Sequence, residues 1–459
     1  MNKLYRVLPV LLLTAIILSP HIAFGQGTLT QLIDNGPDNQ CVNIVVFGDG
    51  YMLSQQADFQ ADALDLVNYL LTIEPFVDYS TYYNAYSIFV PSTHPGVDHP
   101  SQSIYRDTYF NGTFDSYGIT RLTTIPPNNF NPNYDAGYGK VFDLLAIHKP
   151  EYDIILMLFN DDQYGGSGGL IAISSTNGAA PEIVAHEIGH SFADLNDEYD
   201  TYTPGYSGSE SVNTTAVTDP KQVKWNHWFE TGTPIPTPES GTYADVVGLF
   251  EGACYETTGW YRPKLNCKMK ALGYPYGEVC MEQLVKSQYV YLSPLEDFAP
   301  ALPSITIDYA DSQILSVTPK APPNHSLSVQ WYLDGEPLDG ETGTDFTATG
   351  TSVGPGVHTV LAEVFDPTDY VRNDPAYLLR DNHSWTVEVL GGYTCGDVDG
   401  NETIDILDII YLIDYKFKGG PAPAVMNAAD TNSDGTINVL DIIVLIDFKF
   451  TSGPAPTCP

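Results

Sequence analysis

Apolar runs that alternate with amphipathic segments are the main pattern of the first 300 residues. Short apolar runs at 42–50, 85–90, 152–160 and 170–175 predict buried β-strands, the third central and the fourth at a sheet edge. After the first run, apolar residues recur at helical spacing: Phe59, Ala63, Leu66, Val67 and Leu70. Strands that alternate with helices predict an α/β unit, which we place at residues 26–298.

The pattern changes around residues 293–304. Residues 301–391 hold short alternating runs separated by turn residues, which predict a small β-sandwich. The segment VQWYLDGEPL, residues 329–338, resembles the strand–turn–strand of immunoglobulin-like modules. That resemblance implies an immunoglobulin-like domain.

The C-terminal segment, residues 393–459, contains one motif in two copies that start 33 residues apart and align without gaps. Each copy has oxygen-bearing side chains at five positions of a loop. They are Asp397, Asp399, Asn401, Asp405 and Asp408 in the first copy, and Asp430, Asn432, Asp434, Asn438 and Asp441 in the second. Because calcium prefers roughly six to eight oxygen ligands, each loop predicts one calcium ion.

Two details depart from the usual calcium loop. The sixth loop position is Gly435 in the second copy but Glu402 in the first, so we expect the first loop to be distorted. An EF-hand has a helix before and after its loop, whereas here only the segment after each loop predicts a helix.

Two loop–helix repeats at a C-terminus resemble the dockerin type I module. The resemblance implies a small α-helical domain that folds on calcium and binds a cohesin-type partner on a scaffold or cell surface. It also implies an apolar partner contact through Ile406, Leu407, Val439 and Leu440. The alternative is a calcium-stabilised cap that binds no partner.

The segment HEIGH indicates a metal site in the α/β unit. Residues four apart lie on one face of a helix, so His186 and His190 can bind one zinc ion. Zinc with three protein ligands keeps a position for water, and Glu187 can accept a proton from that water. The alternative is an amphipathic helix with two core histidines. For the third ligand we favour Asp197, with Glu198 second. The alternative is that these two carboxylates form a salt bridge at the helix end or are simply solvated.

Five further motifs accompany this segment: VVFGDGY at 45–51, DTYFNGTF at 107–114, YGGSGG at 164–169, FEGACYETTGWYRP at 250–263 and CKM at 267–269. Together they resemble the secreted zinc metallopeptidase family named after a bacterial IgA peptidase, over residues 40–290. The resemblance implies an α/β zincin fold of the metzincin type. It implies zinc ligation by His186 and His190, a catalytic base at Glu187, and a methionine turn beneath the metal at Met269.

The third ligand departs from the usual metzincin pattern. Ala193 and Asn196 stand where that pattern has a glycine and the third ligand. Asp197 comes one residue later, so the turn must differ, and Glu198 remains the alternative.

Two other features suit a substrate cleft. The glycine-rich segment 165–174 is either an edge that pairs with an extended substrate backbone or a flexible hairpin. Tyr255 and Tyr261 are either phenols that steady an oxyanion or structural residues, since tyrosine is abundant in this chain.

The net charge argues against two classes of binding partner, and the N-terminal segment predicts where the protein is located. The chain has 19 Lys+Arg against 57 Asp+Glu, for a net charge of −38, which argues against nucleic acid or an anionic membrane surface. Residues 1–25 combine a basic start, a short apolar run and small residues at the end, which predicts a secretory signal peptide. No later segment predicts a membrane span. We expect a secreted protein, either released or held at the cell surface through a partner.

Six cysteines in an exported chain permit disulfides. Cys395 and Cys458 bracket the repeats and are the pair we predict. The pairing of the other four stays open, and a cysteine-rich zinc site is the weaker interpretation because no CxxC pair occurs.

These observations predict a multidomain, secreted zinc endopeptidase that acts on a protein or peptide and binds one zinc and two calcium ions. A rival interpretation is a calcium-dependent adhesion or scaffold-binding protein with an inactive protease fold. Another is a zinc hydrolase of a different amide, such as a glycan-linked one. The intact Glu187 weighs against the first rival.

Overall fold

The computed structural model describes residues 27–203 and 207–459. The predicted signal peptide at 1–25 lies outside the described residues. Within the described ranges, the helices are all too short or too polar to cross a bilayer.

The N-terminal unit is built on a six-stranded sheet with the order β1-β3-β2-β4-β6-β5. Its elements are β1 (Thr28–Ile33), β2 (Val42–Asp49), α1 (Gln56–Leu70), β3 (Tyr83–Phe89), α2 (Tyr138–His148), β4 (Ile154–Phe159), β5 (Gly166–Ser167), β6 (Ala172–Ser175), α3 (Ala180–Ala193), β7 (Phe250–Ala253), β8 (Glu256–Arg262) and α4 (Glu278–Tyr291). The four inner strands are parallel, and β1 and β5 are antiparallel edges. Strands β7 and β8 form a separate hairpin.

Helices cover both faces of this sheet. Helices α1, α3 and α4 contribute to the core on one face, and α2 contributes to the core on the other. Every residue of β4 is buried, and its side chains alternate between the two cores, as with Leu156 and Met157. The strand therefore has the central position that its apolar run predicts.

The prediction that residues 170–175 form an edge strand is wrong, because that strand is second from the edge of the sheet. The run at 170–175 forms β6, which lies between β4 and β5. The true edge is the two-residue strand β5, because the glycine-rich segment before β6 folds back and pairs with it in antiparallel register.

The second unit consists of two sheets that enclose one core. Its elements are β9 (Leu295–Ala299), β10 (Ser304–Asp308), β11 (Ser312–Pro319), β12 (Ser328–Leu333), β13 (Glu336–Pro337), β14 (Asp345–Thr349), α5 (Gly350–Val353), β15 (Gly356–Phe365) and β16 (Arg380–Leu390). The sheet orders are β10-β16-β15-β12-β13 and β14-β11-β9. Trp331 and Trp385 stack at 5.8 Å in the shared core. Strand β9 pairs with β11, so Leu295–Ala299 belong to the second of these sheets.

A buried carboxylate joins the two units. Asp366 follows β15, and its Oδ2 accepts hydrogen bonds of 2.7 Å from the hydroxyls of Tyr79 and Tyr289 in the N-terminal unit. His325 lies 3.0 Å from the other oxygen. These contacts hold the second unit against the first, and they give both oxygens of the buried Asp366 carboxylate a hydrogen-bond partner.

The C-terminal unit contains helices α6 (Ile406–Ile413), α7 (Met426–Ala429) and α8 (Val439–Phe450), with a π-helical turn at Asp414–Lys418. The disulfide Cys395–Cys458 closes the unit, as predicted. The two long helices follow the two repeat loops, and only the second loop has a short helix before it.

Candidate metal centre

Helix α3 brings two imidazoles together, and the turn after it adds a carboxylate. The Nε2 atoms of His186 and His190 are 3.2 Å apart. The helix ends at Ala193, and Asp194 takes a left-handed conformation (φ 52°) that reverses the chain. Asp197 Oδ1 then lies 3.0 Å from His186 Nε2 and 3.4 Å from His190 Nε2.

These three atoms suit a tetrahedral zinc ion. Zinc bonds to imidazole nitrogen at about 2.0–2.1 Å, so tetrahedral ligands lie about 3.3–3.4 Å apart. The three observed separations, 3.2, 3.0 and 3.4 Å, match that spacing. Two nitrogens and one carboxylate oxygen are also a donor set that zinc accepts, and they leave a fourth position.

Backbone carbonyls fix the histidine tautomers. His186 Nδ1 lies 2.9 Å from the carbonyl oxygen of Lys268, and His190 Nδ1 lies 2.6 Å from that of Leu195. A carbonyl oxygen only accepts, so each Nδ1 carries a hydrogen, which leaves each Nε2 as the nitrogen that can bind a metal. This is the outer support that metal-binding histidines usually have.

Met269 packs beneath the histidine helix. Its side chain is fully buried, and a Cβ on Gly189 would lie 2.5 Å from its sulfur. A side chain at position 189 would therefore force the Met269 side chain to shift. The carbonyl of Met269 accepts a hydrogen bond of 2.9 Å from the backbone N–H of Glu198, so the same turn also supports the segment that carries Asp197.

The third-ligand alternative, Glu198, points away from the histidines. Its side chain is fully buried, accepts a hydrogen bond of 3.0 Å from Asn213, and lies 3.5 Å from the sulfur of Cys280. Burial raises the pKa of Glu198 to about 7. The two neighbouring carboxylates thus have different surroundings, and only Asp197 joins the histidines.

Two tyrosines border the carboxylate. Tyr255, in the β7–β8 turn, donates a hydrogen bond of 2.6 Å from its hydroxyl to Asp197 Oδ2. Tyr199 stacks on the His186 ring at 5.7 Å. Tyr261 instead packs on a separate cluster that contains Trp225. Of the two tyrosines singled out by the sequence, only Tyr255 belongs to this centre.

Tyr255→Phe should weaken zinc binding by roughly 10–100-fold, because an outer partner of a metal-binding carboxylate is lost. Competition with a fluorescent zinc chelator measures this. Tyr261→Phe is the matched control, since it removes a hydroxyl from the same hairpin away from the centre. Equal affinities for both variants would contradict the role of the Tyr255 hydrogen bond.

Glu187 faces a cleft beside the three candidate ligands. The cleft has a volume of about 440 Å³, and its other walls include Arg121, Ser167 and Gly168. Glu187 Oε2 lies 4.0 Å from His190 Nε2. Burial raises the pKa of Glu187, so the carboxylate is poised to take up a proton.

The charge of Asp197 dominates the electrostatics of His190. Burial alone lowers the pKa of His190, but the Asp197 carboxylate outweighs it and raises that pKa to about 9. Burial opposes the ionised form of Asp197, yet the two imidazoles hold its pKa well below the usual value. A site in which the Asp197 carboxylate favours positive charge this strongly is suited to a bound cation.

The glycine-rich edge is only partly free. Leu122 forms a parallel bridge with Gly166, and Ser167 Oγ donates a hydrogen bond of 2.6 Å to the Thr123 carbonyl. The segment that contains Leu122 and Thr123 therefore already occupies the outer side of β5. A substrate backbone would have to lie beyond Ser167, along Gly168 and Gly169, which line the cleft.

Several supporting residues carry no sequence signal. The carbonyl acceptors belong to Lys268 and Leu195, and any residue supplies a carbonyl. Arg121 lines the cleft from a loop that lacks a recognisable motif. Tyr199 is different, since it follows Asp197-Glu198 directly and could have been selected as a neighbour of the ligand.

The two repeat loops have the same hydrogen-bond pattern. In the first, Asp397 Oδ1 accepts from Asn401 N at 3.0 Å, and Asp408 Oδ2 accepts from Asp405 N at 2.7 Å. In the second loop, Asp430 Oδ1 accepts from Asp434 N at 3.2 Å, and Asp441 Oδ2 accepts from Asn438 N at 2.7 Å. Carboxylate oxygens of Asp397, Asp399 and Asp408 lie within 4.8 Å of one another.

The expected distortion of the first loop is not observed. Glu402 has a φ of 67°, close to the 77° of Gly435 at the same loop position. The first loop therefore keeps the standard shape with a side chain in the left-handed region, which is unfavourable for any residue but glycine.

Glu402→Gly should stabilise the C-terminal unit by about 1 kcal/mol, because it removes this backbone strain. Denaturant unfolding of the full chain in saturating calcium measures the change. Gly435→Ala is the matched control and should destabilise by a similar amount. A loss of stability in Glu402→Gly would show that the side chain is needed where it stands.

The four predicted partner-binding residues lie at the starts of α6 and α8. Ile406, Leu407, Val439 and Leu440 are each about half exposed. Both helices thus present an equivalent apolar pair to solvent, in keeping with the internal repeat.

Comparison with known proteins assigns two segments of the chain. Residues 30–243 match the family model of the IgA peptidase M64, and residues 395–448 match the model of the dockerin type I domain. No curated protein matches the chain. The first match contains HEIGH and Asp197, and the second contains both repeat loops. The chain is therefore multidomain, with an N-terminal segment similar to the IgA peptidase M64 family and a C-terminal segment similar to the dockerin type I domain.

Proposed function

We propose that this chain is a secreted zinc endopeptidase. The match of residues 30–243 to the IgA peptidase M64 family supports a peptidase of the metallo type. The observation that carries the zinc assignment is the convergence of His186, His190 and Asp197, whose ligand atoms are 3.0–3.4 Å apart beside the Glu187 carboxylate. The site lies in an open cleft, which an extended protein segment can enter.

A zinc ion at this centre supplies Lewis acidity and lowers the pKa of water. Glu187 acts as general base and accepts the proton of the attacking water. It then donates that proton to the leaving amine, which is the role its raised pKa favours. Tyr255 holds Asp197 in place by its 2.6 Å hydrogen bond, and Met269 supports the histidine helix from below.

The finer fold assignments belong to the same proposal. The parallel sheet, the histidine helix α3 and the methionine below it support a zincin of the metzincin type for residues 26–298. Two sheets around a tryptophan core support an immunoglobulin-like domain, for which we keep the predicted bounds 301–391.

The dockerin indicates docking to a cohesin-type partner and an extracellular location. We assign one calcium ion to each repeat loop, with the ten side chains named from the sequence as ligands. The exposed pairs Ile406-Leu407 and Val439-Leu440 are the proposed apolar contacts with that partner. The predicted signal peptide at 1–25 would export the chain, and the partner would hold it at a surface.

Digestion of an unfolded, alkylated protein tests the peptidase. Wild type should cleave it, lose activity with 1,10-phenanthroline, and regain activity when zinc is resupplied. Cleavage that phenanthroline does not affect would exclude a metal-dependent reaction. Bound zinc without any cleavage would favour another amide substrate or an inactive adhesion protein.

Calcium removal should unfold the C-terminal unit alone. The main apolar cluster of this unit has six buried side chains, and the fully buried carboxylates Asp408 and Asp441 are among the proposed calcium ligands. Limited proteolysis of the full chain after exhaustive dialysis into calcium-free buffer should remove residues 393–459 and leave the rest intact. A C-terminal unit that resists proteolysis without calcium would contradict this prediction.

A further inference from the structure

Two thiols lie next to each other beneath the proposed zinc centre. The sulfurs of Cys267 and Cys280 are 3.7 Å apart, and both side chains are fully buried. Cys267 stands two residues before Met269, and Cys280 belongs to the first turn of α4. The pair therefore connects the methionine turn to the helix packed behind it.

The other two thiols have different surroundings. Cys254 Sγ lies 3.7 Å from the Asn196 side-chain amide and 3.6 Å from the Ser209 carbonyl. Cys41 is buried at the start of the first parallel strand. Among the described residues, Cys267 and Cys280 are the one pair of reduced cysteines with their sulfurs in contact.

We propose that Cys267 and Cys280 form a disulfide in the mature protein. The sulfurs, now 3.7 Å apart, must approach by about 1.7 Å to reach the bond length of about 2.05 Å. The chain already closes one disulfide, Cys395–Cys458, and exported chains meet oxidants. Because both sulfurs are inaccessible once folded, the bond forms during folding.

The oxidation balances with a disulfide-bearing oxidant of the thiol–disulfide exchange class. One thiolate attacks a sulfur of the oxidant and forms a mixed disulfide. The second thiolate displaces the oxidant's sulfur and forms the Cys267–Cys280 bond. The two cysteines lose two protons and two electrons, and the oxidant leaves as two thiols.

A second metal site is the competing interpretation of this cluster. A Glu198 oxygen and the two sulfurs lie within 4.8 Å of one another. However, structural zinc sites take four protein ligands, and this group offers three in a fully buried position. A disulfide uses both sulfurs without a fourth ligand, so the geometry favours it.

The bond would fix the segment that supports the metal centre. Lys268 follows Cys267 directly, and its carbonyl orients His186 at 2.9 Å. The next carbonyl, from Met269, receives the N–H of Glu198 at 2.9 Å. A cross-link to α4 therefore restrains the backbone that positions a histidine ligand and the residue after Asp197.

Thiol labelling of the full chain tests the proposal directly. The protein is recovered from an oxidising compartment, denatured with a chelator and alkylated with iodoacetamide before peptide mapping. We expect label on Cys41 and Cys254 only, a linked peptide pair containing Cys267 and Cys280, and label on all six cysteines after reduction. Label on Cys267 and Cys280 without reduction would overturn the disulfide, whether or not a second metal is released.

A variant measures the consequence for stability. Cys267→Ala/Cys280→Ala should lower the midpoint of thermal unfolding of the N-terminal unit by roughly 5–10 °C. Cys41→Ala, which removes one buried thiol, should have a clearly smaller effect. If the double variant loses no more than this control, the proposed cross-link contributes nothing and the inference fails.

Discussion

Glu187→Gln is expected to lower kcat/KM for an unfolded protein substrate by about 10²–10⁴-fold while zinc stays bound. The amide cannot accept a proton from water, so the general-base contribution is lost. The histidines and Asp197 keep their positions, because Glu187 makes none of the contacts that orient them. Initial cleavage rates and zinc content, measured on the same sample, give the result.

The control for this variant is Glu230→Gln, the same change at an exposed position of the N-terminal unit. It should keep both zinc and full activity. A Glu187→Gln enzyme that retains wild-type activity would remove Glu187 from its proposed role. A variant that lost zinc as well would mean that Glu187 helps to hold the metal.

Asp197→Ala is expected to lose zinc, and with it all cleavage. The carboxylate is one of three converging donors, so its removal should reduce affinity by more than the roughly 10–100-fold expected for an outer partner. Glu198→Gln is the matched comparison one residue away. It should retain zinc, because its side chain bonds to Asn213 and points away from the histidines.

Zinc titration of both variants, with circular dichroism to check folding, separates ligation from stability. Folded Asp197→Ala that binds zinc like wild type would make the third ligand wrong. Zinc loss in Glu198→Gln with retention in Asp197→Ala would reverse the assignment between the two carboxylates.

The local part of this centre is predictable from the sequence. Helical periodicity places His186 and His190 on one face, and Asp197 is near enough along the chain to return after a short turn. The repeat loops are predictable for the same reason, since each ligand set lies within one short segment. In both cases the chemistry depends on neighbours in sequence.

The long-range part was not predictable. The carbonyl that orients His186 comes from Lys268, 82 residues further along the chain. The Asp366 junction with Tyr79 depends on how two units meet, which no local pattern describes. The edge-strand prediction failed because apolar periodicity identifies buried strands but not their order, and two residues, Gly166 and Ser167, are too few to show as a strand.

Zinc-edge X-ray absorption on the full chain carrying one zinc tests the proposed zinc centre most directly. We predict two imidazole nitrogens and oxygen ligands at about 2.0–2.1 Å, with no sulfur in the first shell. That result would agree with ligation by His186, His190 and Asp197. A sulfur shell at about 2.3 Å would place the metal at Cys267 and Cys280 and contradict the proposed centre.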